Sequence, residues 1–146
     1  MKYSYPQLLV TLQFGLIFLI VLYSLLGGSF SLLGILIFSL GAAIGIWAIK
    51  HNRPDNFNII PELKEGCCLV TTGIYRYIRH PMYTSVMLMM MGILLFKPTL
   101  FNTLLWGALV IVLYLKASRE ERLWTVHDPV YAEYKEQTKY FIPYIL

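Results

Sequence analysis

The sequence predicts an all-α polytopic membrane helix bundle, with about four transmembrane helices and a C-terminal helix at the membrane interface. Of the 146 residues, 58% are hydrophobic and only 14% are charged, whereas an ordinary soluble domain carries about 25% charged residues. No charged residue occurs between Lys2 and Lys50. A membrane-spanning helix needs about 20 apolar residues, so this first uncharged segment is long enough for two spans.

The positions of the helices follow from the uncharged runs and from the residues that interrupt them. A turn at Gly27-Gly28-Ser29 divides the first uncharged segment, and Lys97 divides the second while its side chain reaches the interface. The predicted spans lie near residues 7–26, 30–50, 81–96 and 99–116. We expect a single integral-membrane domain over 1–146, in which a cytoplasmic loop (51–80) separates the two N-terminal spans (1–50) from a helical hairpin (81–116).

The remaining segment, 117–146, is polar but rich in aromatic residues. Asp128 followed by Pro129 combines an N-capping residue with a proline at the first helical position. This pair predicts a short helix near 129–140 that lies at the membrane interface. Val130, Tyr134 and Phe141 are expected near one face of it.

The distribution of charge predicts which side of the membrane each segment occupies. In this topology all twelve Lys and Arg residues except Lys97 fall on one side. The positive-inside rule then places both termini and the loop 51–80 of this multi-pass protein in the cytoplasm. The net charge of +4 is explained by topology and by attraction to anionic membrane lipids, so no nucleic-acid partner is predicted.

Two adjacent cysteines, Cys67 and Cys68, are predicted on the cytoplasmic side. A structural disulfide is not expected in that compartment. Two cysteines without a second pair do not form a zinc signature. We therefore predict no metal site.

A first polar cluster, residues 73–83, immediately precedes the third span and contains two arginines, a histidine and three tyrosines. His80 is predicted to lie just outside this helix, because a residue before proline is disfavoured in helical geometry and Pro81 suits the first helical position. The amides of Met82 to Thr84, the helix dipole, and the neighbouring Arg79 and His80 together predict a site for a carboxylate or a phosphate.

A second cluster, Glu120-Glu121, follows the fourth span, and the hairpin brings it opposite Arg79-His80. Neighbouring helix residues point about 100° apart, so one glutamate should face the bundle while the other pairs with a Lys or Arg; the sequence leaves open which does so. Cations facing a carboxylate suit a zwitterion such as the amino-acid headgroup of S-adenosylmethionine, and aromatic rings can stabilise its sulfonium. The candidate rings are Tyr75, Tyr77, Tyr83, Tyr131, Tyr134 and Trp124.

At these residues the chain resembles the isoprenylcysteine carboxyl methyltransferases and their bacterial relatives, and more distantly the phospholipid methyltransferases. The resemblance covers residues 66–146 and departs from the family pattern at Ser85, where many members have glycine, and at 127–129. The matching features are Gly73-x-Tyr75, Arg79-His80-Pro81-x-Tyr83, the helical hairpin, Glu120-Glu121, Glu133-Tyr134 and Ile142-Pro143.

The resemblance implies S-adenosylmethionine as the cofactor and assigns candidate roles to six residues. Cofactor binding is expected at Tyr75, His80, Tyr83 and Glu120, with Glu121 as the alternative glutamate. Arg79 and Glu121 are the candidate catalytic residues, with Arg79 near the reacting groups or the acceptor carboxylate.

The expected reaction is methyl transfer to a lipidic or prenylated acceptor. A carboxylate acceptor is favoured because it is already ionised, whereas a lipid amine would need a base such as His80 or a glutamate. The alternatives are a non-catalytic transport or lipid-binding protein and a membrane reductase. The absence of charges at mid-membrane counts against the first, and the absence of a dinucleotide fingerprint counts against the second. The oligomeric state is open, although a small-residue face at Gly41 and Gly45 permits helix pairing.

Overall fold

A computed structural model describes residues 4–52, 56, 58–63 and 66–143, and over these residues the protein is all-helical. Five α-helices and a short 3₁₀ helix (Gly73–Arg76) occur in this part of the chain. The α-helices are α1 (Tyr5–Leu25), α2 (Leu32–His51), α3 (Pro81–Leu94), α4 (Leu100–His127) and α5 (Val130–Gln137). The predicted all-α bundle is confirmed.

Three of these helices, α1, α2 and α4, are long and apolar enough to cross a membrane. The third predicted span is shorter than expected. Helix α3 has 14 residues and is therefore about 21 Å long, whereas the hydrocarbon core of a membrane is about 30 Å thick. It ends at Leu94, ahead of Pro98, which disfavours helical geometry at Lys97. The amides of Phe96 and Lys97 instead close turns onto the carbonyls of Ile93 and Leu94.

The fourth helix is longer than predicted. It runs for 28 residues to His127, about eleven residues beyond the expected end of the span, because no glycine or proline occurs between Lys116 and Pro129. The extension carries Glu120 and Glu121 away from the apolar core but keeps them on a rigid helix. Their directions are therefore fixed by the phase of α4.

Two ends of the bundle can be distinguished by their connections. At one end the turn after α1 meets the turn after α3, where the Ser29 amide donates to the Phe96 carbonyl at 2.7 Å and Lys97 Nζ donates to the Leu26 carbonyl at 2.6 Å. The start of α3, the ends of α2 and α4, and α5 lie at the other end. Both polar clusters of the sequence are therefore at the end opposite Lys97.

Helices α2 and α3 pack closely along a face of small residues. Ser85 Oγ donates to the Gly41 carbonyl at 2.7 Å, and a Cβ atom added at Gly45 would lie 2.5 Å from Ser85 Oγ. The small-residue face at Gly41 and Gly45 is thus occupied by α3 of the same chain. The hydroxyl of Ser85 fits into the room that Gly45 leaves.

Gly92 provides a direct test of this packing. A Cβ at Gly92 would lie 2.6 Å from the Gly34 carbonyl oxygen and 2.6 Å from the Phe38 amide nitrogen, both of which are backbone atoms that cannot move independently. We expect Gly92→Ala to destabilise the protein by about 1–3 kcal/mol, the usual cost of overpacking. Thermal unfolding in detergent measures this loss. The matched control is Gly107→Ala, since a Cβ there meets nothing within 4 Å; an equal loss in both variants would contradict the close approach of α2 and α3.

The C-terminal segment is anchored to the residues that precede α3. Ile78 and Lys139 form a parallel bridge, in which the Arg79 amide donates to the Lys139 carbonyl at 2.8 Å and the Lys139 amide donates to the Tyr77 carbonyl at 3.0 Å. Phe141 is buried beyond the bridge. This pairing fixes the start of α3 against the end of the described chain.

The predicted short helix is confirmed as α5, and Asp128 Oδ1 accepts from the Val130 amide at 2.9 Å at its start. Its buried face differs from the prediction. Val130 is 59% exposed, whereas Tyr131 and Tyr134 are buried. The inward face of α5 is therefore formed by Tyr131 and Tyr134, which are about one helical turn apart, and Val130 is not part of it.

Candidate functional site

A cavity of about 460 Å³ lies at the end of the bundle where the two polar clusters meet. It is enclosed by α1, the segment after α2, the 3₁₀ helix, the start of α3, the end of α4 and α5. Its volume is within the range of small-molecule sites, about 300–1,000 Å³. Five of the six predicted site residues line it, namely Tyr75, Arg79, His80, Tyr83 and Glu120.

Glu120 is the carboxylate that the cavity wall presents. The Tyr83 hydroxyl donates a short hydrogen bond to Glu120 Oε1, and His80 Nδ1 lies 3.6 Å from Glu120 Oε2. The rings of His80 and Tyr83 are stacked, with centroids 5.7 Å apart and planes inclined by 10°. Two residues from the start of α3 therefore hold one carboxylate from the end of α4.

Glu121 lies behind this wall, in a cluster of ion pairs. Its Oε1 accepts from Arg79 Nε at 2.6 Å, its Oε2 is 3.0 Å from Lys135 Nζ, and its side chain is 5% exposed. His80 Nε2 is 3.4 Å from Glu121 Oε1. A buried carboxylate needs such pairing to remain charged. The structure thus separates the two glutamates that the sequence could not distinguish, while the catalytic role predicted for Glu121 stays a prediction.

Arg79 connects Glu121 to the C-terminal segment. Its terminal nitrogen Nη1 donates to the Thr138 carbonyl at 2.6 Å and to the Lys135 carbonyl at 3.1 Å. Its guanidinium carbon lies 5.1 Å from the centre of the Tyr140 ring. These contacts hold α5 and the following turn in place. The predicted catalytic role of Arg79 stays a prediction beside this structural one.

The expectation of an anion site at the first amides of α3 is wrong for two of its donors. Helix α3 does begin at Pro81, with His80 outside it, as predicted. The amides of Tyr83 and Thr84, however, both donate to the His80 carbonyl at 3.1 Å. The first turn closes on the backbone of the boundary residue, so these amides are not free to bind a ligand.

Tyr75 reaches the cavity from the 3₁₀ helix, whose first residue is a glycine for two reasons. Gly73 has a φ of 61°, a backbone conformation that residues with side chains rarely adopt, and a Cβ there would lie 2.3 Å from the His51 ring. The Tyr75 carbonyl accepts from the Tyr134 hydroxyl at 2.6 Å. Burial, and then the charge of Glu120, raise the pKa of Tyr75 to about 12, although a hydrogen bond with the Asn52 side chain opposes this. Its hydroxyl therefore stays protonated at neutral pH.

Aromatic side chains of α4 and α5 complete the wall. The rings of Trp124 and Tyr131 are stacked, with centroids 6.0 Å apart and planes inclined by 17°, and Tyr134 lies beside them. Burial raises the pKa of both Tyr131 and Tyr134 well above the ordinary value. These rings are neutral surfaces of the cavity wall. Tyr77, the remaining candidate ring, is 41% exposed.

Sequence reasoning missed several polar residues of the cavity, and Gln13 and Lys116 are the two that contact each other. Lys116 is only 2% exposed, and its Nζ donates to Gln13 Oε1 at 2.6 Å and to the Ile59 carbonyl at 3.0 Å. The charge pattern alone attributes Lys116 to topology. The available signal is Gln13, a large amide well inside a mostly apolar helix, since polar residues in such helices usually face the protein interior.

Most of the site lies in a part of the chain that matches a known protein family. The sequence profile of the phospholipid methyltransferase family (PEMT) matches residues 29–132, a range that includes Tyr75, the start of α3 and Glu120. No curated protein matches the chain. Together with three helices long and apolar enough to span a membrane, the match identifies an integral membrane methyltransferase. The chain belongs to the phospholipid methyltransferase family.

Proposed function

We propose that this protein transfers a methyl group from S-adenosylmethionine to a lipidic or prenylated acceptor that reaches the cavity from the membrane. The favoured chemistry is O-methylation of a carboxylate, in a bacterial inner membrane with both termini in the cytoplasm. The observation that carries the proposal is the position of Glu120, a carboxylate on the cavity wall among aromatic rings and one hydrogen bond from Tyr83.

The cavity residues fit the chemical groups of this cofactor. Glu120 supplies a negative charge for an ammonium group. The faces of Tyr75, Tyr83 and Trp124 suit a sulfonium cation, which aromatic rings attract. His80 directs Nδ1 toward Glu120 at 3.6 Å and its buried Nε2 toward Glu121 at 3.4 Å, so its ring lies between the cavity and the ion pairs behind the wall. When bound, the cofactor would supply an electrophilic methyl group.

The protein's own contribution is alignment and exclusion of water. An ionised acceptor carboxylate needs no general base, so the chain has to hold the two reactants in line and shield them from solvent. Tyr75 stays protonated because its pKa is raised to about 12, and it therefore donates a hydrogen bond rather than accepting a proton. Arg79 and Glu121 hold the wall behind His80 in place.

A lipid amine is the second candidate acceptor, favoured by the position of His80 between two carboxylates. His80 Nδ1 is 3.6 Å from Glu120, and Nε2 is 3.4 Å from Glu121. The amine must lose a proton around the transfer. Glu120 and His80 are placed to take it from the cavity, and Glu121 lies on the far side of the His80 ring.

Binding of S-adenosylhomocysteine, the expected product, tests the cofactor assignment. We expect saturable binding to the detergent-purified protein by calorimetry. Tyr83→Phe should weaken it by about tenfold or more, because removal of a hydrogen bond to a charged group costs about 1.5–3 kcal/mol and frees Glu120 to move. Tyr114→Phe is the matched control, since Tyr114 is on the same helix as Glu120 but is 52% exposed.

The contrary outcome is equally specific. A folded wild-type protein that binds no S-adenosylhomocysteine, in detergent and in lipid nanodiscs, would refute the cofactor assignment. Binding of a reduced nicotinamide dinucleotide in its place would favour the membrane reductase.

A further inference from the structure

We propose that Lys116 and Gln13 form an oxyanion subsite at the membrane end of the cavity, which binds the anionic group of the lipid acceptor. This inference rests on the proposed methyl transfer and deepens it by naming the part of the acceptor that the protein recognises. The group is a phosphate or a carboxylate close to the atom that receives the methyl group.

The first argument is the environment of the Lys116 ammonium. Lys116 is 2% exposed, and its two hydrogen-bond acceptors, Gln13 Oε1 and the Ile59 carbonyl, are both uncharged. Among the described residues, no carboxylate lies within ion-pair distance of Nζ. A buried charge is normally paired. Glu120, one turn along α4, acts on this cation only from beyond ion-pair distance, so a cavity-lining cation whose direct contacts are all neutral is poised for an anionic ligand.

The second argument is position along the bundle. Lys116 lies four residues before Glu120 on α4, so it is deeper in the bundle by about 6 Å. Gln13 lies eight residues into α1, about 12 Å from the helix start. Its neighbour Phe14 also lines the cavity and is 51% exposed. A lipid that enters past Phe14 meets Lys116 before it meets Glu120.

The third argument is the separation of the two charges by Tyr83. The ring of Tyr83 is 5.3 Å from Lys116 Nζ, while its hydroxyl donates to Glu120. Tyr83 thus stands between a positive site near the lipid and a negative site near the polar end. This arrangement assigns the cofactor's ammonium to Glu120 and the acceptor's oxyanion to Lys116.

Gln13 leaves the positive charge of Lys116 available to a ligand, because its amide is neutral. Its Oε1 holds the Lys116 ammonium without cancelling the charge, which a glutamate in the same place would do. Gln13→Glu therefore preserves the contact while supplying a counter-ion. Lys116→Gln removes the charge but keeps a polar side chain, and Lys116→Arg keeps the charge.

The test measures lipid binding to these variants by calorimetry, with and without saturating S-adenosylhomocysteine. The probes are oleate, oleoyl-lysophosphatidic acid and the neutral oleyl alcohol. We expect the wild type to bind at least one anionic probe about tenfold more tightly than the alcohol. Lys116→Gln and Gln13→Glu should each remove that preference, as loss of a charge-assisted contact changes affinity by roughly 10- to 100-fold. Lys116→Arg should retain most of it.

Lys97→Gln is the matched control, because Lys97 also donates to a backbone carbonyl but lies at the opposite end of the bundle. It should leave the preference unchanged. Thermal unfolding of each variant separates loss of binding from loss of fold, and Gln13→Glu, which keeps the contact, covers the case in which Lys116→Gln does not fold.

Two results would overturn the proposal. One is a wild type that prefers neither anionic probe over the alcohol. The other is a Lys116→Gln protein whose affinity for S-adenosylhomocysteine falls tenfold while its lipid preference persists, since the oxyanion would then be the cofactor's own carboxylate. The titrations without S-adenosylhomocysteine measure the lipid preference in the absence of the cofactor product. Failure of the oxyanion subsite can therefore be distinguished from failure of the cofactor assignment.

Discussion

Replacing Glu120 with glutamine is expected to abolish detectable methyl transfer and to weaken S-adenosylhomocysteine binding by about 100-fold, while the protein remains folded. The affinity loss corresponds to about 3 kcal/mol, the upper range for a hydrogen bond to a charged group. The fold should persist because glutamine keeps an oxygen that accepts from the Tyr83 hydroxyl. The substitution also removes a charge from a side chain that is only 22% exposed, which is a second reason for the fold to persist.

The measurement is calorimetric titration of S-adenosylhomocysteine, together with transfer of radiolabelled methyl groups into membrane lipids. Glu133→Gln provides the same chemical change on α5, where Glu133 is exposed and accepts from Gln137. It should behave as the wild type does. If Glu120→Gln binds S-adenosylhomocysteine normally, the ammonium is held elsewhere and the assignment of Glu120 is wrong.

Much of this arrangement could be predicted because it depends on local chemistry. The uncharged runs located the membrane helices, and the proline rule placed the start of α3 at Pro81. The order of polar residues placed Glu120 near His80 through a hairpin. None of these steps requires knowledge of distant contacts.

The remaining features depend on contacts between segments far apart in the sequence. The orientation of Glu120 relative to Glu121 follows from the phase of α4 and from Arg79, Lys135 and α5, which no local pattern fixes. The role of Lys116 depends on Gln13, a residue 103 positions away. A lysine at the end of an apolar run looks like an interfacial anchor until its partner is known.

Removal of the Arg79 guanidinium is the second large effect that we expect. In Arg79→Ala, Glu121 would stay buried but lose its 2.6 Å ion pair, and the Thr138 carbonyl would lose its donor. Breaking a buried pair from one side costs about 3–5 kcal/mol. The apparent stability should fall by this amount in thermal or denaturant unfolding. Arg122→Ala, an exposed arginine on α4, should have little effect.

The loss should be local to the C-terminal segment, because Arg79 ties α5 to the start of α3. Trypsin should therefore cleave at Lys135 or Lys139 much faster in Arg79→Ala than in the wild type, since cleavage requires the segment to detach. Adding Glu121→Gln should restore part of the stability, because it removes a buried carboxylate that would then have only Lys135 and His80 beside it. Arg79→Lys should restore little, because an ammonium does not reproduce the planar fork that contacts Glu121 and Thr138 together.

An Arg79→Ala protein with wild-type stability and trypsin resistance would contradict this prediction. The parallel bridge and the buried tyrosines of α5 would then hold the C-terminal segment without this ion pair. Arg79 would in that case be available for the catalytic role that the sequence suggested.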